Sequence, residues 1–184
     1  MESIRAFVAV DIQDQRILEV VRRVQEELSR YVKAKFVELE NFHFTLKFLG
    51  EISEEAVDEV HSVMKELDFK PFELELRGVG CFPNMRRVNV IWVGTREGGE
   101  VLTSLANELE KKLRRLGFEP EQRPFTPHAT IARVKYVQSR DGLISALEKM
   151  KDLEIGRMTV DSIKLKKSQL TAKGPIYTTL RSVP

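Results

Sequence analysis

Two short strands, one in each half of the chain, carry the same polar pair inside an apolar frame. Asn41 to Gly50 reads NFHFTLKFLG and Pro127 to Val134 reads PHATIARV. Side chains alternate across a strand, so His43, Thr45 and Lys47 fall on one face and Phe42, Phe44, Leu46 and Phe48 on the other. His128 and Thr130 share a face in the same way, with Ala129 and Ile131 opposite. Each strand therefore needs a core on one side only, and each leaves a histidine and a threonine on the other. The pair uses two of only three histidines in the chain. The third, His61, lies beside the apolar stripe of a predicted helix without a threonine partner and is assigned no catalytic role.

The surrounding elements repeat in order. Arg5 to Ile12 alternates and is rich in β-branched residues, which predicts an opening strand. Asp14 caps a predicted helix running to about Tyr31, with Ile17, Val20, Val21, Val24, Leu28 and Tyr31 in one stripe. The first motif strand closes at Gly50, and Ser53 caps a second helix with Glu54 and Glu55 at its positive end. Phe72–Gly80 and Val88–Gly94 form an antiparallel pair around the turn at Pro83–Arg86. A helix over Gly99–Leu116, ended by Gly117, and a loop holding Pro120 and Pro124 deliver the second motif strand. A short helix over Asp141–Lys151 and strands over Met158–Lys167 and Ile176–Val183 complete the reading. Each half thus runs strand, helix, motif strand, helix, further strands, the order expected of an internal duplication within one domain of 184 residues.

Composition narrows the function. No stretch approaches the roughly 20 apolar residues that cross a bilayer, and Met1–Arg5 leads straight into a strand, so the chain reads as soluble and unexported. Cys81 is the sole cysteine, which excludes an internal disulfide and a cysteine metal cluster and fits a reducing, cytoplasmic setting. Lys plus Arg is 30 against 28 Asp plus Glu, too even to imply nucleic-acid binding by itself. Basic residues gather at Met85–Arg87, Lys111–Arg115 and Lys164–Lys167, each read as a solvated face. Charged residues make up 32% of the chain while Asn, Gln and Cys are sparse, a balance common in thermophile proteins.

Two imidazoles facing one another suit phosphodiester chemistry. A neutral one removes a proton from the attacking oxygen while a protonated one donates to the leaving oxygen, each group contributing about 100- to 10,000-fold. Reference pKa values near 6.5 allow both states at neutral pH. Threonine hydroxyls on the same face can donate to nonbridging oxygens where charge accumulates. A metal centre would need three or four ligands, and no close His-x3-His pair, cysteine cluster or dense carboxylate group accompanies His43 and His128.

With these motifs in view, His43-Phe44-Thr45-Leu46 within HFTLKFLG and His128-Ala129-Thr130-Ile131 within FTPHATIAR, the chain resembles the two-histidine phosphoesterases, and among them the RNA 2′,3′-cyclic phosphodiesterases long called 2′-5′ RNA ligases. The opening RAFVAVDI and the length extend the likeness over nearly the whole chain. The resemblance implies a bilobal α+β fold in which two antiparallel sheets enclose a central cleft, helices outside, with pseudo-twofold symmetry. It implies hydrolysis of RNA 2′,3′-cyclic phosphate ends to 2′-phosphomonoesters without a cofactor or metal, on RNA that includes tRNA fragments, with no obligate protein partner. By carry-over, His43 is the acid that protonates the 3′ oxygen, His128 the base that activates water, and Thr45 and Thr130 hold the phosphate. Arg133 matches a family arginine expected at the phosphate, although strict alternation points it away from His128 unless the strand twists, bulges or ends. Phe125 reads either as a base-stacking ring or as packing, and Lys47 as a reactive-face lysine or a solvated one. The same residues would also serve 2′-5′ ligation, with a ribose hydroxyl in place of water, or an RNA-end binding module without turnover.

Overall fold

In the computed structural model, which describes residues 2–184, nine strands and four α-helices alternate in the order β1 (Ile4–Asp11), α1 (Gln15–Leu28), β2 (Val32–Phe36), β3 (His43–Ile52), α2 (Glu54–Lys65), β4 (Phe72–Asn84), β5 (Arg87–Thr95), α3 (Gly99–Arg114), β6 (Ala129–Val137), α4 (Arg140–Met150), β7 (Glu154–Val160), β8 (Ile163–Thr171) and β9 (Gly174–Val183). All pairs between these strands are antiparallel. They form a four-stranded sheet, β3-β1-β8-β9, and a five-stranded sheet, β2-β6-β5-β4-β7. The fold is α+β, as expected. Among the described residues no helix is long and apolar enough to cross a membrane.

Local chemistry sets the helix starts. The Asp14 carboxylate accepts the N–H groups of Arg16 and Ile17 at 2.9 and 3.1 Å, and the Ser53 hydroxyl accepts that of Ala56 at 3.1 Å, each satisfying donors that the first turn leaves open. The apolar stripes then decide where each helix lies. Ile17, Val21, Val24 and Leu28 of α1 are buried, as are Val57, Val60, Val63 and Met64 of α2. Helices α2 and α3 back the four-stranded sheet and touch each other, while α1 and α4 back the five-stranded one. Helix α1 leaves β1 of the first sheet yet packs on β6 and β7 of the second, and α3 leaves β5 of the second yet packs on β3 of the first. The halves are interlocked.

Several boundaries differ from the sequence reading. Helix α1 stops at Leu28, and the Tyr31 carbonyl instead accepts the N–H groups of Gln138 and Ser139 at 2.8 and 3.0 Å. Strand β3 does not close at Gly50; a bulge there, with Gly50 at φ +71°, lets pairing continue to Ile52. The strand expected over Met158–Lys167 is two, β7 and β8, broken at Asp161–Ser162 and lying in different sheets. Strand β2 has little sequence signal, because VKAKF is short and its apolar residues Val32, Ala34 and Phe36 alternate with lysines.

Candidate active site

Edge strand β3 carries the first motif, and its register explains which side chains share the face of His43. Residues directly opposed in an antiparallel pair share a face. Asp11 opposes His43, Ala9 opposes Thr45, and then the ladder shifts so that Val8 opposes Lys47 and Phe7 opposes Phe48. Leu46 is the bulged residue. Past it the alternation is reversed, so Phe48 joins His43 and Thr45 while Lys47 turns to the core side. Phe48 is accordingly 45% exposed, its ring stacked on Phe7 and covered by the Arg5 guanidinium at 5.1 Å.

Lys47 thus contradicts the reading of a reactive-face or solvated lysine. It is 4% exposed, and its ammonium reaches Glu110 of α3 at 3.0 Å, the Glu119 carbonyl at 2.9 Å and the Glu121 carboxylate at 3.2 Å. Glu110 in turn accepts the Glu121 N–H at 2.7 Å. This clamp fixes the connection between α3 and β6. A cavity of about 700 Å³ opens between that connection, residues 117–123, and the far end of β3.

The second motif repeats the device. His128 sits just ahead of β6, which begins at Ala129 rather than at Pro127. Trp92 of β5 opposes Thr130, Ile91 opposes Ala132 and Val90 opposes Arg133, which makes Ile131 the bulged residue. Arg133 is thereby returned to the face of Thr130, against strict alternation. Phe48 and Arg133 hold corresponding places, each five residues beyond its motif histidine. Both histidines are also oriented alike. Nδ1 of His43 donates to the Asn41 carbonyl and Nδ1 of His128 to the Thr126 carbonyl, both at 2.7 Å, since a carbonyl can only accept. Nε2 of each ring is left for chemistry.

The LigT-like phosphoesterase family, described as "LigT like Phosphoesterase", matches residues 10–92 and 93–177, one motif in each segment. The chain belongs to this family. Similar curated proteins include the RNA 2′,3′-cyclic phosphodiesterase of Methanothermobacter thermautotrophicus, 40% identical over 96% of both chains, and that of Archaeoglobus fulgidus, 42% identical over 96% of this chain and 98% of that one. Among solved structures, TT0787 of Thermus thermophilus aligns with a TM-score of 0.81 at 28% identity, covering 97% of this chain and 96% of that one. Escherichia coli LigT complexed with 3′-AMP aligns at 0.74 and 26%, covering 99% and 98%.

In this LigT-like phosphoesterase each histidine stands in an aromatic corner. His43 lies 5.1 Å from Phe7 and edge-on to Tyr177 at 5.4 Å, and His128 lies 5.0 Å from Phe82 and 6.2 Å from Trp92. Trp92 rests over Gly80, where a Cβ would come within 2.4 Å of the indole. Strands β3 and β9 are opposite edges of their sheet, so the His43–Tyr177 contact requires that sheet to curl. The motif strands β3 and β6, in different sheets, are themselves in contact.

Beside His43 lies a charged group in place of the solvated face expected over Lys164–Lys167. Lys164 and Lys166 both bond Asp11, at 3.0 and 2.7 Å, and Lys166 is buried. Burial alone would raise the Asp11 carboxyl, but the hydrogen bonds and charges of Lys166 and Lys164 outweigh it and hold the group below the usual carboxylate range. Burial pushes the His43 imidazole below the ordinary histidine range; the Asn41 bond and the Asp11 charge oppose this, and Lys166 and Arg133 add to it. A neutral His43 with Nδ1 protonated has a bare Nε2, which accepts the Thr45 hydroxyl at 2.9 Å.

Sequence reasoning missed Tyr177, Asp11 and Lys166 around His43, and Phe82 and Trp92 around His128. Only Asp11, a carboxylate ending an apolar strand, and the alternating Lys164 and Lys166 gave a signal. Phe125 packs against the core, the second of its two readings.

Proposed function

We propose that this phosphoesterase hydrolyses 2′,3′-cyclic phosphate ends of RNA to 2′-phosphomonoesters without a metal ion, with His43 and His128 as the proton carriers. The observation that carries the reading is the likeness, over 96% of the chain, to proteins named RNA 2′,3′-cyclic phosphodiesterase, with both His-x-Thr pairs present. Water attacks phosphorus and gives a proton to Nε2 of His128. The bond from phosphorus to the 3′ oxygen breaks, and that oxygen takes a proton from Nε2 of His43. Thr45, Thr130 and Arg133 hold the nonbridging oxygens as charge builds on them.

The resting hydrogen bond gives this scheme a sequence of events. While Nε2 of His43 is bare it holds the Thr45 hydroxyl. The anionic substrate offsets the Lys166 and Arg133 charges and favours the imidazolium. Once Nε2 carries a proton it no longer accepts, so the Thr45 hydroxyl is released to a phosphate oxygen. Substrate binding and arming of the acid are the same event.

The bare Nε2 of His43 is equally the state of a base, which favours a second reading with the two roles exchanged. A substrate whose 3′ leaving atom is sulfur needs no proton on departure, so it rescues the variant lacking the acid and not the one lacking the base. The primary test is product analysis on an RNA with a 2′,3′-cyclic phosphate end in excess EDTA. A 2′-phosphate product is expected; activity retained in both His43→Ala and His128→Ala overturns the mechanism.

A further inference from the structure

We propose that the outer edge of the five-stranded sheet is the track for the RNA strand leading into the site, with Lys33, Lys35 and Tyr136 as its contacts. This rests on the RNA substrate proposed above. On β6 the ladder shifts twice, at Ile131 and again at Lys135, where Val134 opposes Ala34 but Tyr136 opposes Lys33. Each bulge resets the alternation, so Thr130, Arg133 and Tyr136 all share one face. Across the pair, Lys35 opposes Arg133 and Lys33 opposes Tyr136, and these four therefore share that face. The intervening Ala34 and Val134 pack against the core on the other side.

The result is a strip running from the phosphate-binding threonine to the sheet edge, about 20 Å of strand at the usual rise per residue. It is built of three cations and one ring. Tyr136 is 58% exposed, which leaves its ring open to a stacking partner. Lys33, Lys35 and Arg133 are exposed beside it. Lys35 also touches the carbonyl of Lys173 at 3.4 Å, so the β8–β9 turn borders the strip. Cations that follow a backbone with an aromatic face for stacking are what a single-stranded nucleic acid needs, and the readout is insensitive to base identity. The 700 Å³ cavity at the far end of β3 is a poorer path, because Glu51, Glu119 and Glu121 line it against Arg123 and a Lys47 already paired with Glu110 and Glu121.

The test compares a pentanucleotide ending in a 2′-phosphate with 2′-AMP, by fluorescence anisotropy and competition, across salt concentrations. Lys33→Ala with Lys35→Ala should weaken the pentanucleotide severalfold and reduce its logarithmic salt slope by about 1.4, about 0.7 per lysine on a single strand, while 2′-AMP binding stays within twofold. Tyr136→Ala should weaken the pentanucleotide at least about fivefold with the salt slope unchanged. Unaltered pentanucleotide affinity, as for a strip that serves an acidic protein partner, overturns the proposal, as does equal weakening of both ligands. Turnover of the cyclic forms of both ligands by the unmodified protein is followed in parallel. Its absence defeats the hydrolase reading, while the binding comparison still decides the track.

Discussion

The Lys47 ammonium donates to the Glu119 carbonyl at 2.9 Å, joining the strand of the first motif to the connection that carries the second histidine. Because Lys47 is buried with Glu110 and Glu121 as further partners, its removal strands a carboxylate in a poorly solvated place. Lys47→Met should destabilise the fold by about 3 kcal/mol in urea unfolding. It should also lower kcat, since the connection that leads to His128 loses its tie to β3. Adding Glu110→Gln should recover part of the stability and little of the rate; full additivity of the two substitutions would show that they do not interact.

Single replacement of His43 or His128 by Ala should cut kcat by about 100- to 10,000-fold with circular dichroism still native, and His43→Ala should also lower the melting temperature, because that ring is packed against Phe7 and Tyr177 and bonded to Asn41. Activity with the 3′-sulfur substrate should return in only one of the two variants. Recovery in both, or in neither, contradicts a division into acid and base.

Asp11 supplies a charge that favours the His43 imidazolium while Lys166 opposes it. In Asp11→Asn burial and the Lys166 and Arg133 charges act without that carboxylate, so the His43 midpoint followed by NMR should move further below the ordinary histidine range. The acid limb of stability should change as well. A carboxyl held low contributes stability that is present above its unfolded pKa, near 3.9, and is lost as pH falls through the lower folded value. The unmodified protein should therefore lose stability more steeply below about pH 4 than Asp11→Asn does.

Gly80→Ala places a methyl group against the indole of Trp92. Overpacking of this kind costs about 1 to 3 kcal/mol, and here the displaced ring borders His128. Loss of both melting temperature and kcat is expected, with circular dichroism still native; an unchanged kcat would show that the aromatic corner does not position the imidazole.

Much of this is legible in the sequence because it is local. Asp14 and Ser53 declare their helices through donors a few residues away, and the two His-x-Thr pairs are visible as alternation against an apolar frame. The bulges at Leu46 and Ile131 are not local, since each exists only as a mismatch with a neighbouring strand. An unbroken period of two puts Lys47 on the face of His43 and Arg133 on the face opposite His128, and both are reversed. Tyr177, Asp11 and Lys166 reach His43 from three different strands, a meeting that sheet order decides and no short window of sequence contains.

The exchange of α1 and α3 between the sheets bears on how such a chain could have arisen. Half of it, with one motif, would hold only part of each sheet and would lack the helices that cover those strands. Two such halves would have to interleave their strands and trade helices in order to close, each completing the other's core. A gene encoding a single repeat would thus have yielded a functional groove only as a swapped homodimer, and fusing the two copies would have made that mutual dependence permanent.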